Sequence, residues 1–159
     1  MAQSDFFLKI DGIDGESLDD KHKNEIHIHS YNFGAHNTGA GLSNGATAVG
    51  KVQDIHFMKH VDKSSPNLFI NCCSGKSIPT AILTVRRAGE KQQEYMIFTL
   101  SDVIVSSYNH KGGDGDELPV ETVSLTFSKI KYEYKPQSAD GTLGATVAKT
   151  YDVKANRIS

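Results

Sequence analysis

The sequence predicts a mainly β protein, a soluble β-barrel with one short helix and one long, uncharged, glycine-rich loop. Three observations point there. Apolar residues recur with a period of two along most of the chain, the pattern of half-buried strands. That period slips by one residue in two places, which turns every later side chain to the other face and predicts a bulge or strong bend. Bent strands let a sheet curl into a barrel. Helix start and stop signals mark a single segment well.

Taken in order, Phe6, Leu8 and Ile10 alternate with Phe7 and Lys9 in a first strand. Over residues 25–33, Ile26 and Ile28 share one parity and Tyr31 and Phe33 the other, the first slip. Residues 52–61, 79–87 and 93–106 add strands, the last apolar on both parities. Val123, Leu125 and Phe127 are odd, whereas Ile130, Tyr132 and Tyr134 are even, the second slip. Beyond Pro136 the chain reads as loop until KTYDVKA, a candidate final strand.

The helix is expected at about 65–74, with Ser65 as N-cap, Pro66 at the first helical position and Gly75 in the left-handed conformation that ends it. Leu68 and Cys72 are four apart, as are Phe69 and Cys73, and all four read as one apolar face. Both cysteines are then small core residues, since a reactive thiol needs exposure and a nearby cation. On this reading Phe69→Ala costs about 3–5 kcal/mol. Adjacent cysteines are poorly placed to form a disulfide with each other, so reduced thiols of a cytosolic protein are expected.

The 159 residues suit one domain, 1–159, with core strands over about 5–135, an extended loop at about 37–50 and a C-terminal segment at 136–159. A chain of this length buries about 68–70% of its unfolded surface and needs no metal or disulfide to fold. Its 17 basic and 19 acidic residues give a formal charge of −2, which argues against a nucleic-acid binder with a basic stripe. No stretch approaches the roughly 20 apolar residues that span a bilayer. MAQSDFFLKI, with an acidic residue and a three-residue apolar run, lacks the features of a Sec signal.

Several motifs invite a chemical reading. GATAVGKV, Gly45 to Val52, has phosphate-loop spacing but ends in Val where the metal-binding hydroxyl belongs, and a strand pattern follows it. SGKS at 74–77 follows a helix, where the dipole is negative. Neither makes a nucleotide cradle. His27 and His29 are two apart on a strand and could share a metal with a third ligand from His36, His56 or His60; the alternative is a set of polar histidines on a solvent-facing side, and no metal or other cofactor is expected. Asp114, Asp116 and Glu117 lack the ligand spacing of a calcium loop and read as a solvated turn. No catalytic motif is present, so no enzyme is expected.

The chain resembles the hemolysin-coregulated protein (Hcp) family, the tube protein of bacterial type VI secretion systems. The matching stretches are FLKIDGIDGES at 7–17, DKHKNEI at 20–26, VDKSSPNLFINCCSGK at 61–76, TVRRAGEKQQEYMIFTLSDVIVSSY at 84–108, VSLTFSKIKYEYKPQSADGTLG at 123–144 and YDVKAN at 151–156. The resemblance implies a compact barrel of two packed antiparallel sheets with a flanking helix, assembled as a homohexameric ring. Such rings stack into the inner tube that a contractile sheath propels. It further implies effector proteins held in the lumen, a valine-glycine-repeat spike protein at the tip, and a subunit that is cytoplasmic before firing and then exported by the type VI route without a signal peptide. No nucleic acid and no membrane insertion are implied.

Joined to strand parity, the resemblance places Ser30 and Asn32 on the channel side, opposite Tyr31 and Phe33. The loop supplies a ring-stacking arm in which Asn37, Gly39, Gly41, Leu42, Gly45 and Gly50 are the candidate contacts. Residues 34–50 hold five of the 14 glycines and no Asp, Glu, Lys or Arg, so backbones can approach closely and identical loops do not repel. Two other readings stay open, a monomeric small-ligand-binding β-barrel and a metal-dependent enzyme built on the histidines.

Overall fold

The computed structural model describes residues 4–37, 50–88, 91–115 and 117–159. In chain order the elements are β1 (Ser4–Ile10), β2 (Ile26–Ile28), β3 (Ser30–Asn32), β4 (Ala35–Asn37), β5 (Gly50–Val52), β6 (Ile55–His60) and α1 (Ser65–Ser74), followed by β7 (Ile78–Arg87), β8 (Glu94–Lys111), β9 (Val120–Thr126), β10 (Lys129–Tyr134), β11 (Val147–Asp152) and β12 (Arg157–Ile158). The strands make two sheets around one core. The larger runs β12-β11-β10-β8-β7-β1-β2 and the smaller β3-β6-β9-β8, with every pairing antiparallel. β4 and β5 form a separate two-stranded ladder.

Both parity slips are places where the chain changes sheet, as strands do at the corners of packed sheets. β2 pairs with β1 in the large sheet and β3 pairs with β6 in the small one. Between them the N–H of His29 donates to the Met58 carbonyl at 2.8 Å. The second slip separates β9, in the small sheet, from β10, in the large one.

β8 spans both sheets itself. Its first half lies between β7 and β10 and its second half pairs with β9. It turns at Asp102, which has φ 51°, a conformation that Asp tolerates better than most residues. The Asp102 carboxylate accepts the Ser128 hydroxyl at 2.8 Å, which ties this corner to the β9–β10 turn.

The core between the sheets takes the in-phase residues of every long strand, including Leu8, Ile26, Phe57, Leu83, Phe98 and Leu125. β8 is longer than the pattern suggests: Asn109, His110 and Lys111 pair with Thr122, Glu121 and Val120. The hairpin ladder continues there through polar residues, which alternation cannot reveal. The loop contacts Gly39, Gly41, Leu42 and Gly45 lie outside the described residues, as does Asp116. Asn37 and Gly50 face each other in the β4–β5 ladder.

The helix differs from the sequence reading in two respects. Ser65 is its first residue, and the cap position falls on Ser64, whose side chain makes no capping bond. The Ser65 hydroxyl instead accepts the Asp62 N–H at 3.0 Å and the Lys59 ammonium at 3.2 Å. Gly75 ends the helix with φ 65°, its N–H donating to the Asn71 carbonyl at 3.0 Å.

The four apolar residues do not share one buried face. Leu68 is fully buried and Cys72 packs partly against the core, but Phe69 is 48% exposed and Cys73 is exposed. Successive helical residues lie about 100° apart, so the pairs 68/72 and 69/73 form neighbouring stripes, and a single contact with the sheet covers only one. Phe69 leans on Tyr108 with ring centroids 5.7 Å apart.

Candidate functional site

The outward face of the small sheet is the surface on which Ser30 and Asn32 stand. In β3 both are exposed, while Tyr31 between them is half-buried. The Tyr31 ring packs edge-on to Phe6 and Phe98, and burial pushes its hydroxyl pKa up to about 12. Phe33 packs on Phe98 at 4.9 Å. The parity that puts these rings inward sets Ser30 and Asn32 outward.

Register extends each position into a row across four strands, polar except for Met58. Ser30 lies opposite Met58, Met58 opposite Thr122, and Thr122 opposite Asn109. The next row is Asn32, His56, Ser124 and Ser107. A shallow depression of about 210 Å³ lies over Ser30, Asn32, His56, Met58 and Thr122. A register shift in β8 between Val105 and Ser107 brings two consecutive serines to one partner. The Ser106 hydroxyl lies 2.8 Å from that of Ser124, Ser107 also reaches Ser124, and Ser106 donates to Asp54 at 2.7 Å. Across both rows no side chain is a carboxylate, lysine or arginine, with Asp54 at their margin against Ser106, so the rows offer many modest polar contacts.

Beneath this face is a buried ionic network that the sequence reading missed. Lys59 and Glu121 are directly opposite across β6 and β9, and both are 0% exposed. The Lys59 ammonium donates to Glu121 at 2.7 Å, to Asp62 and the His60 carbonyl at 3.0 Å each, and to Ser65. Tyr108 donates to the other Glu121 oxygen, and burial followed by that carboxylate pushes the Tyr108 pKa up strongly. Every donor position of the ammonium is thus occupied, as a buried charge requires. The network binds two strands of the face to the first turn of α1. A signal was available, because Lys59 is in phase with Ile55 and Phe57, and Glu121 with Val123 and Leu125.

The histidines cluster only in part. His27, His29 and His60 stand side by side, with ring centroids 5.4 and 4.4 Å apart, at the corner where the chain changes sheet. His56 belongs to the polar row and His36 to β4. Among the described residues no group of three or more His, Cys, Asp or Glu side chains is arranged to hold a metal ion. His22 sits apart, stacked on Phe7 at 4.4 Å, with Glu25 at 2.8 Å and Glu94 at 2.7 Å from its ring nitrogens.

Two antiparallel sheets that share bent strands enclose one core, with a flanking helix tied to it through Lys59 and Ser65. Comparison with known proteins places this architecture. The family model described as "Type VI secretion system effector, Hcp" matches residues 7–134. The chain is 41% identical to the protein hcp1 of Pseudomonas aeruginosa over 96% of each chain. It superposes on the crystal structure of Hcp1 from Salmonella typhimurium with a TM-score of 0.82 at 42% identity, covering 100% of both chains. A type VI secretion system effector from Yersinia pestis matches with a TM-score of 0.77 at 32% identity, over 94% of this chain and 100% of that one. The chain belongs to the Hcp family of type VI secretion proteins. No helix among the described residues is long and apolar enough to cross a membrane.

Proposed function

We propose that this chain is a structural subunit, not an enzyme, of a type VI secretion inner tube. Six copies close into a ring, rings stack, and the polar face of the small sheet lines the channel. Family membership supports the ring and the tube; the uncharged rows containing Ser30 and Asn32 support the channel assignment. A wall of that kind suits effector proteins of varied sequence, because it neither repels nor strongly holds either sign of charge. The face is also the outer surface of a four-stranded sheet bounded by β3 and by the second half of β8, and strand edges are natural surfaces for head-to-tail contacts that close.

The remaining parts of the reading follow the family. The β4–β5 ladder carries the ends of the 37–50 loop, which we assign to contact with the adjoining ring. The spike protein and the contractile sheath are the partners at the tip and outside. The subunit is assembled in the bacterial cytoplasm and leaves by the type VI route.

The observation that carries the proposal is the match to the family over nearly the whole chain. Native mass spectrometry with negative-stain imaging of the same sample tests it. A closed hexamer with a central hole is expected. A folded monomer at micromolar concentration would overturn self-assembly into rings and bring the ligand-binding barrel forward.

A further inference from the structure

The two ends of the large sheet carry unlike surfaces. Beyond β2, the connection between β1 and β2 lies along the sheet edge as a strap. The N–H of Gly15 donates to the Asn24 carbonyl at 2.8 Å and the N–H of Ser17 to the Glu25 carbonyl at 3.0 Å. A Cβ at Gly15 would stand 2.5 Å from the Glu25 carbonyl oxygen and 2.6 Å from the Ile26 Cα, so only glycine allows the strap to lie this close.

Side-chain hydrogen bonds then fix its continuation. Asp19 takes both amino groups of the Arg86 guanidinium, at 2.9 and 2.7 Å, and that hydrogen bonding lowers its pKa to about 2. His22 is held between Glu25 and Glu94. Between the strap and this anchor stands Leu18, 92% exposed, with exposed Asp20 beside it and Glu16 turned back to accept the Lys63 N–H at 3.0 Å. A leucine in open water on a loop this firmly held has no role in the core of its own chain.

The opposite end of the sheet offers its complement. A groove of about 630 Å³ opens between β5 and the β10–β12 edge. Phe33, Val52, Ile130, Tyr151 and Ile158 supply apolar lining, and Ile158 is 75% exposed. Lys51 and Lys149 also line the groove, and among the described residues no carboxylate does. An apolar cleft with two cations suits an apolar side chain with a carboxylate beside it.

We infer that Leu18 of one copy seats in this groove of the next copy, with Asp20 facing Lys51 and Lys149. The occupant is a second copy of this chain because the anchor and its receptor lie on opposite edges of one sheet. A contact between unlike patches is head-to-tail, and repeated head-to-tail contacts close into a ring when the rotation allows. The inference rests on the ring reading above and names the side chains that join its subunits. The strap lowers the cost of association because Leu18 is already ordered before contact.

The test mixes two singly substituted chains, both carrying Cys72→Ala and Cys73→Ser to remove the native thiols. One also carries Leu18→Cys and the other Ile158→Cys. Under mild oxidation a covalent dimer between the two chains should exceed that of Leu18→Cys with Thr122→Cys by about tenfold or more, since seating raises the effective concentration of the thiols. In the native background, Asp20→Lys should release subunits at moderate salt, and adding Lys149→Glu to the same chain should restore the assembly.

Rings without the selective cross-link, and without the charge rescue, would overturn this contact and leave the ring reading standing. Neither rings nor cross-link would overturn both. A cross-link in open oligomers that never close would support the contact and overturn the hexamer. Leu18 and Asp20 are exposed, so these variants keep the monomer fold, which circular dichroism verifies.

Discussion

His29 is held beside His27, His60 and Lys59 at the corner between the sheets. Burial lowers its pKa below the ordinary 6.5, and His60, His27 and Lys59 lower it further. Glu16 and Asp62 line the same cleft, but the net effect on His29 remains downward. A histidine with a depressed folded pKa binds protons more readily when unfolded, so its contribution to stability is present above about pH 6.5 and is lost as pH falls toward the folded value. Urea melts of the monomer between about pH 7.5 and about pH 5.5 should show a smaller loss of stability for His29→Asn than for the parent. Equal losses would remove His29 from the account. A second contrast lies in the helix. Leu68→Ala should cost about 2–5 kcal/mol, whereas half-exposed Phe69→Ala should cost about 1 kcal/mol instead of the 3–5 of a buried ring. Denaturant melts of the two variants would decide, and equal losses would return Phe69 to the core.

At the scale of elements, strand parity carried most of the legible information. The slips after Ile28 and after Phe127 were visible as slips, and the structure makes each a change of sheet. What parity could not supply was the partner strand: nothing local says that β3 joins β6 while β2 joins β1. The face bearing Ser30 and Asn32 was readable, but its other rows were not, because His56, Thr122 and Asn109 meet only through long-range register. Lys59 and Glu121 were overlooked although their parity matches the core residues around them, since charge is ordinarily a mark of the surface. That pair yields an element-scale prediction. Lys59→Met leaves a fully buried carboxylate without its cation and should cost about 3–5 kcal/mol. The double variant Lys59→Met/Glu121→Gln should recover much of this, because a neutral amide can still accept from Tyr108 while the methionine fills the lysine's space. A double-mutant cycle by urea unfolding measures the coupling. Additive losses would mean that the pair does not act as a unit.

For the whole molecule, the two sheets divide the work on the proposed reading. The large sheet carries the strap at one edge and the groove at the other, so it is the part that joins copies. The small sheet presents its polar rows to the channel and has the Lys59 network behind it, so it is the part that meets cargo. Substitutions on the two surfaces should therefore separate. Asn32→Gln keeps the hydrogen-bonding group and adds one methylene on the exposed side of β3, which should leave the hexamer intact by native mass spectrometry. Asn32→Asp places six carboxylates around one level of the channel, and their mutual repulsion is screened over roughly 8 Å at physiological salt, so rings should again persist. Cargo retention should change in both, shifting modestly for Gln and, for Asp, falling for acidic effectors relative to basic ones. Co-purification of an effector with each variant ring reads this out. Loss of the ring in Asn32→Gln while the monomer stays folded would place Asn32 at a subunit contact and remove the small sheet from the channel. Intact rings with unchanged retention of every effector tried would leave the face in the channel but without a part in holding cargo.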